Sequence, residues 1–184
     1  MRIVKKTTDN KFLNIFEVTD PETHCKGYQY AERRGKDSIA FICYHKQTKK
    51  FLINHEFTPP NGTFMDRAFG GSLDKEGKDY TDIVIEEVKE EAGYNVTKEN
   101  VYLVGNCFVS TQMNQRCYLY FVIVDNHLET ERAPENEMEK IAIPTWVSMA
   151  TILSGDDWKA IVIVMKAVRD LNIMSKAVDL KDFK

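Results

Sequence analysis

The sequence lacks a hydrophobic run long enough to span a membrane. Its longest uncharged apolar stretch is residues 118–124, far shorter than the ~20 residues that a membrane-spanning helix needs. The chain also begins with Met-Arg-Ile-Val-Lys-Lys rather than with an apolar signal segment. We therefore expect a cytoplasmic protein without a membrane partner.

The sequence has little excess charge and few cysteines. The 25 Lys and Arg residues nearly balance 28 Asp and Glu residues, which leaves a net charge of -3, so a nucleic acid is not the expected partner. The four cysteines are widely spaced and form no C-x-x-C pair, a pattern typical of buried thiols rather than of a zinc or redox site. With 43% hydrophobic and 29% charged residues, the composition is that of a globular protein.

Turn residues and hydrophobic periodicity predict an α+β fold. Strands are expected at residues 12–18 and 25–33, as a hairpin arm, and at 38–45, 50–56, 63–69, 101–109, 116–124 and 141–147. Helices are expected at 79–92, with Gly93 as C-cap, and at 158–171, after a capping box at 154–157. We divide the chain into an N-terminal arm (1–34), a main domain (35–174) and a tail (175–184).

The first predicted helix carries a crowded set of carboxylates. At 100° per residue, Glu87, Glu90 and Glu91 fall on one face of the helix. Like charges at i,i+4 destabilise a helix, and they lie late in this one, where the helix dipole favours cations. A Mg²⁺ or Mn²⁺ ion would compensate, because hard cations prefer oxygen ligands. The alternative is a solvated acidic face.

The region from Gly71 to Tyr94 resembles the Nudix box, whose second half reads Arg-Glu-U-x-Glu-Glu-x-Gly-U, with U a bulky apolar residue. The matching residues are Gly71, Glu87, Val88, Glu90, Glu91, Gly93 and Tyr94. The resemblance implies a Nudix-type α/β/α sandwich of mixed sheets with an N-terminal β-hairpin arm. It also implies that Gly71, Glu87, Glu90 and Glu91 form the metal site, with Glu90 and Glu91 catalytic.

Two charged residues depart from the box. Lys78 stands where the box has its first glutamate, Glu86 replaces its arginine, and the loop between Gly71 and Lys78 is one residue longer than the pattern. In the family that arginine steadies a catalytic glutamate through an ion pair. Because both residues have reversed sign, we predict that Lys78 and Glu86 form an ion pair with exchanged charges.

A second segment narrows the resemblance to ADP-ribose pyrophosphatases. The matches to their Gln-Phe-Arg-Pro-Pro and Glu-x-Pro-Ala-Gly segments are Phe57, Pro59, Pro60, Gly62 and Gly71, whereas Thr58 and Arg67 replace an arginine and a glutamate of the family. The resemblance implies hydrolysis of ADP-ribose to AMP and ribose 5-phosphate. It further implies a homodimer that exchanges the N-terminal arm.

The same resemblance assigns substrate contacts. Tyr28 falls at an aromatic position that stacks on adenine, although packing of the arm explains it equally well. Arg33 falls at a basic residue that reaches the diphosphate. Gln112 or Asn114, in the loop between two predicted strands, is expected to touch substrate, and a polar turn is the alternative.

An acidic loop before the last predicted strand completes the implied site. Glu135 and Glu137 match the spacing of an acidic pair that holds or activates the attacking water in these pyrophosphatases. A surface loop that is acidic for other reasons is the alternative.

Two other functions stay open from the sequence. The replacements at Thr58 and Arg67 favour a Nudix pyrophosphatase for a nucleotide sugar or a dinucleotide, because a changed pocket suggests a changed ligand. The replacements at Lys78 and Glu86 favour a nucleotide-binding module that keeps the scaffold and does not hydrolyse.

Overall fold

The computed structural model describes residues 1–35, 37–74 and 77–171 of the chain. Its strands are β1 (Ile3–Lys6), β2 (Leu13–Asp20), β3 (Cys25–Arg33), β4 (Ser38–His45), β5 (Phe51–Thr58), β6 (Thr63–Arg67), β7 (Phe69–Ser72), β8 (Val101–Ser110), β9 (Met113–Val124) and β10 (Ile143–Val147). Its α-helices are α1 (Tyr80–Glu87), α2 (Glu137–Ile141), α3 (Met149–Leu153) and α4 (Trp158–Leu171). None of the helices in the described ranges is long and apolar enough to cross a membrane.

The strands form one mixed sheet whose main path runs β1-β2-β3-β9-β4-β5-β10. The central strand β4 is buried along its whole length, as expected for a strand covered on both faces. It runs parallel to β9, while its other edge pairs first with β7 and then with β5. The sheet therefore divides beside β4, and β7 leads from this division towards α1.

Alternation of side chains along β4 builds a separate core on each face of the sheet. Ile39, Phe41 and Cys43 pack in the core that contains residues of α1. Ala40 and Ile42 pack in the core that contains residues of α4. The sheet therefore lies between α1 and α4, which is the α/β/α arrangement that the sequence predicts.

The predicted elements occur with local differences. The strand expected at 63–69 is two strands, β6 and β7, and between them the backbone N–H of Ala68 donates to Asp157 Oδ2 at 2.7 Å. Helices α2 and α3 and strand β1 were not predicted. The capping box expected at 154–157 is wrong in detail, because Ser154 bonds the carbonyl of Thr151 while Asp157 accepts from the backbone of Lys159.

The N-terminal arm is the three-stranded part of the sheet from β1 to β3. It joins the remainder where Ala31 pairs with Met113 and its N–H donates to the Gln112 carbonyl at 2.7 Å. All four cysteines lie in the described part of the chain and are free thiols. The domain limits at 34 and 174 stay predictions, and the proposed tail (175–184) lies outside the described residues.

Candidate functional site

The carboxylates predicted to share one helix face occupy the end of α1 and the turn that follows it. Asp79 caps the start of α1 by accepting from the N–H of Thr81 at 2.8 Å. After Glu87 the helix widens into a π-turn at Val88–Ala92, and it ends at Gly93, whose φ is 76°. Such π-turns occur frequently at functional sites. Here the turn carries Glu90 and Glu91.

Glu91 is the deeply buried member of this set, with 7% of its surface exposed. Its Oε2 atom has no hydrogen-bond partner among the described residues. Burial raises the pKa of the Glu91 carboxyl group to about 9, and the nearby charges of Glu87, Glu139 and Glu56 act in the same direction. A backbone hydrogen bond from Gly70 opposes them. Without a cation, the carboxyl group of Glu91 is therefore protonated at neutral pH.

Glu91 opens into a cavity of about 250 Å³, which we call the carboxylate cavity. Its lining residues are Glu56, Phe57, Glu91, Asn136, Met138 and Glu139. Glu139 belongs to α2, and both of its carboxylate oxygens are held. Oε2 accepts from the backbone N–H of Glu135 at 2.6 Å, and Oε1 accepts from the side chain of Asn136. The carboxylate of Glu139 is thus fixed at the cavity wall.

Glu135 and Glu137, the acidic pair predicted from the sequence, lie outside this lining. Glu135 is exposed and contributes its backbone N–H to the contact with Glu139. The Glu137 side chain is 87% exposed and forms an ion pair with Lys140 at 2.5 Å. The structure therefore presents Glu139 to the cavity, and a role of Glu135 or Glu137 in catalysis stays a prediction.

Arg132 holds the two sides of the carboxylate cavity together. Its Nε donates to the backbone carbonyl of Glu91 at 2.6 Å, while Nη2 and Nη1 donate to the carbonyls of Glu139 and Ala142, each at 3.0 Å. One guanidinium group thereby ties the turn after α1 to the middle and the C-terminal end of the short helix α2. Since these bonds go to the backbone, they position the carboxylates without neutralising them.

Gly71 lies directly against Glu87, as its assignment to the metal site requires. A Cβ atom at position 71 would overlap Oε1 of Glu87 and would lie 2.8 Å from its Cδ. Glycine therefore leaves the space that the carboxylate fills. The backbone carbonyl of Glu90 accepts from the N–H of Ala133 at 3.1 Å, and the Glu90 side chain is half-buried.

The exchanged ion pair predicted from the sequence is present. Lys78 Nζ contacts Glu86 Oε1, and the two side chains are 30% and 38% exposed. The contact connects the loop before α1 to the penultimate residue of that helix. The reversal of both charges relative to the Nudix box therefore preserves a loop-to-helix ion pair.

Two of the predicted substrate contacts line a cavity of about 880 Å³ between the arm and the tip of the β8-β9 hairpin. These are Tyr28 and Asn114. The Tyr28 hydroxyl donates to the Thr111 carbonyl at 2.9 Å, and Asn114 Nδ2 donates to Glu32 Oε2 at 2.9 Å. Both side chains thus have contacts within the fold, and their roles towards a substrate stay predictions.

The other two predicted contacts lie elsewhere. Arg33 Nη2 donates to Ser72 Oγ at 2.5 Å, directly after Gly71 in β7. Gln112 is exposed in the hairpin turn, where its N–H donates to Ser110 Oγ at 3.1 Å. The structure therefore brings Arg33 close to the candidate metal site, whereas Gln112 remains with the hairpin.

Glu56 and Glu139 are not among the site residues predicted from the sequence. Glu56 accepts from Asn54 Nδ2 at 3.1 Å and lies 3.7 Å from Arg67 Nε. Glu56 directly precedes Phe57, the first match in the pyrophosphatase-like segment. Its position in that segment could therefore have indicated Glu56 as a candidate site residue. Glu137 and Glu139 have the same Glu-x-Glu spacing as Glu135 and Glu137. The choice between these two pairs depends on where α2 begins.

No protein-family model matches this chain, and no curated protein matches it in sequence. Among solved structures, the chain is similar to a crystal structure of an ADP compounds hydrolase, with a TM-score of 0.68. The superposition covers 96% of this chain and 95% of that chain at 13% sequence identity. At this identity the likeness establishes the fold alone. The predicted α+β sandwich, with a mixed sheet between helices, is confirmed as the fold of the chain.

Proposed function

We propose that this protein hydrolyses a nucleoside diphosphate-linked compound with the help of Mg²⁺ or Mn²⁺. ADP-ribose is the first candidate, and its products would be AMP and ribose 5-phosphate. The observation that carries the proposal is the buried Oε2 of Glu91, which has no hydrogen-bond partner in the described ranges and lies beside the carboxylates of Glu56 and Glu139. The fold shared with an ADP compounds hydrolase supports the same class of substrate.

The chemistry of the site fits a hard divalent cation. Glu87, Glu90 and Glu91 offer carboxylate oxygens, and Oε2 of Glu91 is buried without a hydrogen-bond partner among the described residues. Within the described ranges, no three His, Cys, Asp or Glu side chains form a ready metal cage. Mg²⁺ is commonly held by one or two carboxylates together with phosphate oxygens of the substrate.

When bound, such an ion would neutralise phosphate charge and lower the pKa of nearby water. The side chains of the protein would then position the reacting groups and transfer protons. Glu91 would release its proton if a cation took the place of that proton, and Glu87 lies against Gly71. We assign the orientation of the attacking water to Glu139, because hydrogen bonds fix both of its oxygens at the cavity wall.

A homodimer also belongs to this proposal. Strand β1 lies at the edge of the sheet, and its four residues are exposed. An exposed edge strand offers unpaired backbone groups to a second chain. Light scattering coupled to gel filtration would show twice the monomer mass for the intact chain. Removal of residues 1–6 would reduce that mass if the edge carries the contact.

The proposed activity is tested by a substrate panel in Mg²⁺ and in Mn²⁺. The panel contains ADP-ribose, NADH, nucleotide sugars and dinucleoside polyphosphates, with every product identified. Glu91→Gln should lower turnover by about 100-fold or more, whereas Glu99→Gln, at an exposed carboxylate, should leave it unchanged.

Each outcome of the substrate panel supports a different conclusion about the substrate or the function. Release of AMP and ribose 5-phosphate supports ADP-ribose, and cleavage of another member replaces it as substrate. A nucleotide that raises the melting temperature without any metal-dependent cleavage would establish the binding module instead. Undiminished cleavage by Glu91→Gln at saturating Mg²⁺ would refute the assigned site.

A further inference from the structure

A second cavity, of about 260 Å³, lies against β7 at Gly70 and Gly71. Its two charged lining residues are Arg33 and Lys159, and none of the described residues that line it is Asp or Glu. We call it the cationic cavity. It contrasts with the carboxylate cavity, whose described lining contains three Glu residues and no Lys or Arg.

The wall of the cationic cavity is ordered by hydrogen bonds. Arg33 is held by its bond to Ser72 Oγ at 2.5 Å. Gln115, which is only 4% exposed, donates through Nε2 to Ser38 Oγ at 3.0 Å. The cavity therefore has a fixed guanidinium group and polar walls, features that suit a phosphate group.

Lys159 lies in the first turn of α4, and its ammonium group has no ion pair or hydrogen bond with another described residue. The neighbouring Asp157 accepts from two backbone N–H groups, those of Ala68 at 2.7 Å and Lys159 at 3.1 Å. Burial raises the pKa of Glu56, and the positive charges of Arg67 and Lys159 oppose that rise. Lys159 therefore lies within electrostatic reach of the carboxylate cavity.

The backbone of Gly70 and Gly71 lies beside both the cationic cavity and the carboxylates. Gly71 lines the cationic cavity and also lies against the carboxylate of Glu87. Gly70 lines the same cavity and donates a backbone hydrogen bond to Glu91. The positively and negatively charged regions therefore adjoin at β7.

We propose that the cationic cavity binds a phosphate group of the substrate and that Lys159 is the residue that supplies its free positive charge. This inference deepens the proposed function and rests on it for the identity of the whole substrate. Lys159, in α4, then binds the phosphate group that the carboxylate site does not hold. The ligand class is a diphosphate ester or anhydride.

The test measures binding of pyrophosphate, ADP and AMP by calorimetry in EDTA, which removes any contribution of a metal ion. The variants are Lys159→Gln, Lys159→Arg and the control Lys166→Gln. Lys166 lies on the same helix and packs over Gly105. Lys159→Gln should weaken the binding of ADP about tenfold or more, as expected when one charge-assisted hydrogen bond is lost. Lys159→Arg should retain most of the affinity, and Lys166→Gln all of it.

Kinetic measurements on the substrate found by the panel give a second readout. Because Lys159 is assigned to binding, Lys159→Gln should raise KM about tenfold and change kcat much less. Equal affinities of the wild type and Lys159→Gln, or no binding of ADP and pyrophosphate by the wild type, would overturn the inference. Lys159-dependent binding by a wild type that cleaves no substrate would instead overturn the proposed function and leave the phosphate site intact.

Discussion

Replacement of Glu91 by glutamine should stabilise the metal-free protein at neutral pH. The pKa of this carboxyl group is raised from 4.5 to about 9, first by burial and then by the charge of Glu87. The folded state therefore binds a proton more tightly than the unfolded chain does. Between these two pKa values the free energy of unfolding falls as the pH rises, because the unfolded chain ionises this carboxyl group while the folded protein keeps it protonated.

The size of the effect follows from the same shift. Between the two pKa values, each pH unit changes the free energy of unfolding by about 1.4 kcal/mol for one proton. From about pH 5 to about pH 7, Glu91 therefore lowers the free energy of unfolding by about 3 kcal/mol. Glutamine has nearly the same shape and no charge, so Glu91→Gln should not show this loss. At about pH 4 the two proteins should have similar stability.

Urea unfolding in EDTA across this pH range measures the difference, with Glu99→Gln as the matched control on an exposed carboxylate. All other titrating groups are common to the wild type and the variants, so they cancel in the comparison. Addition of Mg²⁺ or Mn²⁺ should then raise the melting temperature of the wild type more than that of Glu91→Gln. Parallel stability curves for the wild type and Glu91→Gln would refute the assignment of a buried, protonated carboxyl group.

Substitutions at Gly71, at Arg132 and at the Lys78–Glu86 ion pair test how the carboxylate site is positioned. Gly71→Ala should displace the carboxylate of Glu87 and lower metal-dependent turnover on the order of 100-fold, with little change in the melting temperature. Arg132→Met should lower the free energy of unfolding by about 3 kcal/mol, measured in urea, because three backbone carbonyls lose their donor. Lys78→Glu and Glu86→Lys should each lower stability, and the double variant should recover about 0.5 kcal/mol, the coupling of a half-exposed ion pair in a double-mutant cycle.

The features that depend on neighbouring residues were predictable from the sequence. The helix at 79–92 was recognisable from its apolar spacing and from Gly93, and its limits agree with α1 and the π-turn. The ion pair between Lys78 and Glu86 was predictable because both charges are reversed within one motif. The π-turn itself was not predictable from the sequence, because the change to i→i+5 hydrogen bonding depends on how the end of the helix packs.

The residues that come from distant parts of the chain were missed. Glu56 reaches the carboxylate cavity from β5 and Glu139 from α2, while Lys159 approaches from the first turn of α4. Their meeting depends on the order of strands and on the contacts of Arg132, and no local spacing encodes either. The predicted pair, Glu135 and Glu137, does not line the cavity and Glu139 does, because the start of α2 decides which Glu faces it.

The apolar side of α1 explains how the fold tolerates its carboxylate site. Ile83, Val84 and Val88 are at most 1% exposed, and full burial of such side chains contributes roughly 5 to 9 kcal/mol in total. That exceeds the loss of about 3 kcal/mol assigned to Glu91 at neutral pH. The helix is therefore anchored from its apolar face, which offsets the cost of burying Glu91. The apolar face of this short helix thus contributes stability, and its opposite, acidic face contributes the residues of the proposed chemistry.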